Sequence, residues 1–350
     1  MSAVIWGKVF TVYSLQTDFQ IIIPNQPKGV ANLKVRLGYV AMALRLPDCS
    51  PSKTITVKNI NKIASHTDQL GRLIRITREN LSNTLRILKA NFFDCIQVYR
   101  FTSKLVPLCT HPQFTDWDYV SDSEDLFQEI GALIRENKMR VSLHPDHFTL
   151  LNSPSPEVLE ASLRDLDYHV KILEAMRLNG NEAKLVIHVG GKYNDRIEAL
   201  NRFKSTYLTL PRRISERLIL ENDDRCFTAQ EVLCLAQEIA APMVLDVHHH
   251  QLLNQGESLE SILPDIFATW GDNRPKVHLS SPRDQKNPRN HADYIDPESA
   301  TGFLNLARKF GRDFDLMLEA KQKDLALFKL AEDLRGKGFT MPNDGEIIVD

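Results

Sequence analysis

Eight short apolar runs recur along this chain, separated by longer amphipathic stretches, and that rhythm limits its possible folds more than any other feature. The runs are LKVRLGYV (33–40), CIQVYRF (95–101), MRVSLH (139–144), KLVIHVG (184–190), RLILEND (217–223), PMVLDVHH (242–249), PKVHLS (275–280) and DLMLEAK (315–321). They are apolar on both faces, as strands are when buried between a core and a layer of helices. The intervening segments carry helix-start signals. Ser121 and Glu124 stand three apart before LFQEIGALI, and Thr228 and Glu231 before VLCLAQEIA, so each pair predicts a capping box. Pro154 and Pro156 precede one helical stretch and Asp296-Pro297 another, where proline suits the first turn.

Eight strands alternating with helices predict an α/β fold, a single (β/α)8 TIM barrel. A doubly wound open sheet would carry a glycine-rich phosphate turn after its first strand, and RLGYVAMAL is not one. The expected organisation is an N-terminal extension (1–32), a barrel (33–337) and a C-terminal tail (338–350), the acidic PNDGEIIVD of the tail reading as an appendage. The 350 residues suit one such barrel.

Composition narrows the function by exclusion. A net charge of −2 and a pI near 6.6 are not the global signature of a nucleic-acid binder, so such a role would need a local basic face. The five cysteines form no CxxC pair and read as reduced thiols of a reducing cytosol. The N-terminus lacks the charged, apolar and small-residue regions of a secretion signal, and no apolar run reaches the ~20 residues that span a bilayer. The expectation is a soluble, cytoplasmic protein without membrane contact.

The chemistry lies where the strands end. Run three ends in His144, run four passes through His188 and run five reaches Glu221. Run six supplies Asp246 followed by His248, His249 and His250; run seven has His278, with His291 in the loop beyond; run eight reaches Glu319. His111 lies in the loop after run two. Active sites of this fold gather where the strands end. A lone buried histidine is often only a hydrogen-bonded core residue, but nine such groups at one mouth would repel or go unsatisfied without cations among them. His66 and His169 fall in helical stretches and read as ordinary helix or surface residues; His250 is set aside, and spacing leaves His248 and His249 as alternatives. Imidazole with carboxylate and no thiolate suits zinc, manganese, iron or cobalt. So many ligands imply two or three ions, an arrangement suited to in-line displacement at phosphorus. No GxSxG, Walker A or HExxH motif offers another chemistry.

These segments resemble the UV damage endonucleases, relatives of endonuclease IV among the xylose-isomerase-like barrels. The resemblance is carried by VRLGYV (35–40), YRFTSKLVPLCTHPQF (99–114), SLHPDHFTLLNSPSPEV (142–158), LVIHVGGKYNDR (185–196), LILENDDRCFTAQEVL (218–233), LDVHHHQLLN (245–254) and KVHLSSPR (276–283), in the family's order. It implies metal ligands at His111, His144, His188, Glu221, Asp246, His249, His278, His291 and Glu319, and thereby favours His249 over His248. It also implies a supporting catalytic role for Lys276, two residues before His278, and a place at the site for Tyr39. The implied reaction is a nick immediately 5′ to a cyclobutane pyrimidine dimer or 6-4 photoproduct in double-stranded DNA. The implied cofactor is two or three divalent ions, manganese with zinc as the alternative. No obligate protein partner is implied, and a monomer is expected. The family probes its lesion with a Gln-Tyr pair after the strand-three histidine; here the place holds His147 and Phe148, where Phe148 keeps an apolar wedge. Arg283, Lys286 and Arg289, in the loop carrying His291, are the expected phosphate contacts, whereas Arg72, Arg75 and Arg78 read as a solvated helix face. Two further readings stand beside this one: a sugar isomerase or epimerase on the same barrel, and a damage-binding protein with a degenerate cluster.

Overall fold

The computed structural model describes residues 32–350; the expected N-terminal extension lies, but for residue 32, outside them. The first half of the chain runs β1 (Leu33–Val40), α1 (Val57–Ile60), α2 (His66–Phe93), β2 (Val98–Arg100), α3 (Glu124–Glu136), β3 (Arg140–Leu143), α4 (Pro156–Ala175) and β4 (Ala183–His188). It continues through α5 (Arg196–Thr209), α6 (Arg212–Ser215), β5 (Leu218–Glu221), α7 (Ala229–Glu238), β6 (Met243–Asp246), α8 (Val247–Leu252), α9 (Leu259–Ala268) and β7 (Lys276–Leu279). The last elements are α10 (Pro297–Arg308), β8 (Phe314–Leu318), α11 (Lys323–Gly336), β9 (Thr340–Asn343) and β10 (Glu346–Val349).

Strands β1 to β8 are parallel neighbours in sequence order, and β1 pairs with both β8 and β2, so the sheet closes into a TIM barrel. Side chains alternate across each strand. One set, including Leu185, Leu220, Leu245 and Leu316, is fully buried beneath the helices, each such side chain contributing roughly 1.5–3 kcal/mol. The other set faces the barrel axis, where Val186, Ile219 and Val244 form a small separate cluster with Trp270.

Helix starts follow the expected chemistry with one exception. Thr228 and Glu231 form the capping box of α7, and Ser155 and Asp296 cap α4 and α10 ahead of Pro156 and Pro297. The box expected from Ser121 and Glu124 does not form. Residues Ser121–Ser123 make a 3-10 turn, the Ser121 amide donates to Asp118, and α3 begins at Glu124. Run two is also shorter than expected: Cys95 takes a positive φ and the Ile96 amide closes on Asn91 at the end of α2, so β2 starts only at Val98.

The segment read as an appendage is part of the sheet. β9 and β10 form a hairpin, and β10 runs antiparallel to β1 from Leu33↔Val349 to Arg36↔Glu346. Its turn packs so closely that a Cβ on Gly345 would lie 2.3 Å from the Cys95 carbonyl oxygen. All five cysteines are unpaired, and no helix among the described residues is long and apolar enough to cross a membrane.

Candidate metal centre

At the C-terminal mouth of the barrel, consecutive strands deliver Glu221 (β5), Asp246 (β6), His278 (β7) and Glu319 (after β8), with His144 and His188 from the β3 and β4 ends. Two groups of ligand atoms converge within 4.8 Å: His144, His188 and Glu221, and Glu221, Asp246, His278 and Glu319. Glu221 belongs to both. Its Oε2 lies 3.0 Å from His144 Nε2 and 3.6 Å from His188 Nε2, and its Oε1 lies 2.6 Å from His278 Nδ1. Glu319 Oε1 is 3.0 Å from the same His278 nitrogen.

Two of the rings are oriented by backbone. His144 Nδ1 donates to the Pro145 carbonyl and His249 Nδ1 to the Asn222 carbonyl, each at 2.9 Å. A carbonyl can only accept, so Nε2 is the nitrogen of each ring left to ligate a metal. Asn222 also brackets β6, its side chain bonding both the amide and the carbonyl of Asp246. Asp246 in turn caps α8, accepting the His249 amide at 2.8 Å. The HHH run is therefore helical, and its backbone distinguishes its members: His249 turns toward Asp246 and His188, whereas neither ring nitrogen of buried His248 has a partner.

Burial and crowding of charge set the protonation of the cluster. Burial, with Glu221 and Glu319 nearby, pushes Asp246 up to about 6 even though His249 counters it. Burial works against protonated His249 and His278, yet the carboxylates beside them push both up to about 9. Burial also works against ionised Glu221, but His278 and His188 hold it well below the usual range; for Glu319 the Arg100 guanidinium does the same. Three buried atoms remain without any partner: Asp246 Oδ2, His188 Nδ1 and His278 Nε2. Unpartnered oxygen and nitrogen atoms among converging carboxylates and imidazoles fit divalent cations, which would displace any ring proton they meet.

The other expected site residues are less closely grouped. His291 Nδ1 is 4.0 Å from Glu319 Oε2, reached through the bridge that pairs Pro282 with His291. His111 caps a 3-10 turn, with Nδ1 accepting the Gln113 amide, and forms no ion pair with the cluster carboxylates. Lys276 is fully buried on the same face of β7 as His278; Nζ donates to Ser142, and burial, then Arg140, lowers its ammonium to about 7. Tyr39 is the clear departure. Arg36 and Gly38 lie on the axial face of β1, so Tyr39 points outward, its hydroxyl donating to Asn91 of α2 and its ring packed on Tyr99. The resemblance to a site tyrosine is thus corrected by strand parity.

Beside the cluster opens a cavity of about 620 Å³, lined by His144, His188, Gly190, Cys226, His249 and Arg289 among others. Gly190 adopts a φ of +110° there, and a Cβ would meet buried Asn152 at 2.3 Å, so only glycine permits this wall. At the rim His147 and Phe148 lie ring against ring at 3.9 Å, 75% and 70% exposed respectively, with His147 Nδ1 2.5 Å from Asp146. Arg289 pairs with Asp224 at 2.9 Å and Arg283 with Asp284 at 3.4 Å, which leaves Lys286 as the member of that trio without an ion pair among the described residues. The sequence reading missed Asn222, Asp224 and Arg100; the last, on the axial face at the end of β2, bonds Glu319.

A closed parallel barrel with a histidine–carboxylate cluster at its C-terminal mouth defines a (β/α)8-barrel enzyme with a candidate metal centre. The model of the UV-endonuclease UvdE family matches residues 35–347, and the chain belongs to that family. It is 43% identical over 302 residues to a UV DNA damage endonuclease of Bacillus cereus (strain B4264), covering 86% of this chain and 94% of the relative. A Bacillus anthracis (strain A0248) protein of the same description is 41% identical over the same length. Among solved structures, SacUVDE aligns with a TM-score of 0.78 at 32% identity, covering 87% of this chain and 99% of that one. Endonuclease IV from Thermus thermophilus shares the fold alone, with a TM-score of 0.51 at 14% identity over 86% of this chain and 99% of its own.

Proposed function

We propose that this chain nicks double-stranded DNA immediately 5′ to cyclobutane pyrimidine dimers and 6-4 photoproducts. The observation that carries this reading is Glu221, shared by two metal-compatible groups in the mouth of a UV-endonuclease barrel. His144, His188, Glu221, Asp246, His278 and Glu319 would hold two or three divalent ions, manganese with zinc as the alternative, and His249, His291 and His111 complete the set. Such ions supply Lewis-acid stabilisation of charge at phosphorus and at the leaving oxygen.

The chain's own residues supply the rest. Phe148 stands exposed at the cavity rim, where an apolar ring can enter a base step already weakened by damage. His147 lies tilted against it, held by Asp146 through Nδ1, and presents Nε2 as a hydrogen-bonding edge. Arg283, Lys286 and Arg289 steer the phosphate backbone, and Asp224 holds Arg289 at the cavity wall. Lys276 places a buried amine beneath the cluster, its Nζ held by Ser142. No obligate protein partner is required. An open rim with an exposed aromatic ring argues against a sugar isomerase, whose small substrate calls for enclosure.

The test is incision of a duplex oligonucleotide carrying one defined dimer, with manganese or zinc. The expected product is a single cut at the phosphodiester 5′ to the dimer. Intact strands with metal-loaded protein would refute the reading.

A further inference from the structure

The side of the mouth opposite the cavity carries two cations that the proposed function does not use. The cavity is walled by the segments that follow β3 to β7, whereas Arg100 ends β2, which lies between β3 and β1 and close to β8. Arg100 faces the barrel axis, because Tyr99 on the alternate face packs against Tyr39 and Phe101. It is only 9% exposed, and Nη1 is committed to Glu319 Oε1. Nε and Nη2 have no acceptor among the described residues, yet neither is among the sealed, unpartnered buried atoms. A guanidinium offers five donors in a planar fork suited to phosphate oxygens. Half of this fork is fixed by Glu319, and the other half opens on the mouth. Lys323, the first residue of α11 after the β8 turn, is a second, half-buried cation there, forming no ion pair with the described residues. Burial, and then the charge of Arg100, weaken its hold on its proton.

Resting on the endonuclease reading, we propose that Arg100, backed by Lys323, binds the DNA phosphate on the 5′ side of the cut, across the cluster from the lesion cavity. A lesion in the cavity places the scissile phosphate over Glu221 and Glu319, and the next phosphate away from the lesion then falls to this corner. Glu319 thereby serves two ends: it faces His278 on one side and orients the phosphate-binding fork on the other.

The experiment pairs protein variants with dimer-containing duplexes in which single phosphates are replaced by neutral methylphosphonates. Binding is measured by fluorescence anisotropy, incision by single-turnover kinetics and metal content by elemental analysis. In the unaltered protein, methylphosphonate at the first phosphate 5′ to the cut is expected to weaken binding roughly tenfold. Arg100→Gln should lose a similar factor on the all-phosphate duplex, become insensitive to that one methylphosphonate, and show a salt slope shallower by about one. Arg100→Lys should recover part of the loss. Should Arg100→Gln not fold, Lys323→Gln carries the same test with a smaller factor. If Arg100 only positions Glu319, Arg100→Gln would lose metal but respond to every methylphosphonate as the unaltered protein does, and the proposal would fall. Unaltered protein that neither prefers nor cuts the unmodified dimer duplex would overturn the endonuclease reading itself, and this proposal with it.

Discussion

The two ends of the barrel interior are both crowded with charge, and they resolve it in opposite ways. At the floor one carboxylate, Asp315, accepts from two guanidinium groups, Arg36 at 2.7 Å and Arg140. Arg274 pairs with Asp313, and Lys276 donates to Ser142. At the mouth three carboxylates, Glu221, Asp246 and Glu319, converge with imidazoles, and Asp246 Oδ2, His188 Nδ1 and His278 Nε2 find no hydrogen-bond partner. Burying charge costs several kcal/mol per ion unless it is paired. The floor matches each of its carboxylates with guanidinium groups of the chain, although Arg274 Nη1 stays without a partner, and so reads mainly as structure. The mouth leaves places for something else to complete, which marks function.

That contrast can be broken at either end. The largest effect is expected at the floor. Asp315→Asn strands two part-buried arginines on a fully buried partner and should cost about 3 kcal/mol in chemical denaturation, while the protein that remains folded binds metal normally. A cost confined to metal binding would erase the distinction. Next comes the support of the mouth. Asn222→Ala removes the bracket around Asp246 and should lower metal affinity by roughly 10–100-fold, read by competition with a chelating dye, with a smaller change in stability. Unchanged affinity would mean that β6 holds Asp246 unaided. The smallest effect is expected outside both ends. Tyr39→Phe loses one hydrogen bond to Asn91, about 1 kcal/mol of stability, and should leave the incision rate unchanged. A large fall in rate would return Tyr39 to the site.

Loading the mouth with metal should also release protons. His249 and His278 are pushed up to about 9, so both rings are protonated at pH 7.5, and a ligating imidazole must be neutral. Calorimetric titration in two buffers of different ionisation enthalpy should register about two protons displaced per protein. The release should shrink as the pH rises above 9, where the rings are already neutral. No buffer dependence at pH 7.5 would contradict these protonation states.

Much of the site was legible because its residues stand where strands end, a position readable from one sequence. The barrel was legible for the same reason: the strands are short apolar runs, and β1 spans the full length expected of it. The parity of Tyr39 was legible too, since Leu33, Val35, Leu37 and Tyr39 alternate with Lys34, Arg36 and Gly38, but the family motif outweighed it. Arg100 escaped notice because an arginine in a strand reads as solvent-facing until barrel closure brings it within reach of the Glu319 side chain. Spacing could not tell His249 from His248, because the Asn222 carbonyl that orients His249 comes from the end of β5, far away in sequence. The final hairpin did leave a signal, the Asp344-Gly345 pair between two short runs, but its acidic composition obscured it.

The central claim is that Glu221 joins two halves of a metal centre that cuts DNA beside UV lesions. It is tested most directly by measuring bound metal and incision of a single-dimer duplex side by side for the unaltered protein and Glu221→Gln. The account predicts at least two ions and a single 5′ cut for the former. For Glu221→Gln it predicts fewer ions, an unfolding midpoint without metal that is undiminished, and incision lower by roughly a hundredfold to a thousandfold. Full metal loading with undiminished incision in Glu221→Gln would contradict it.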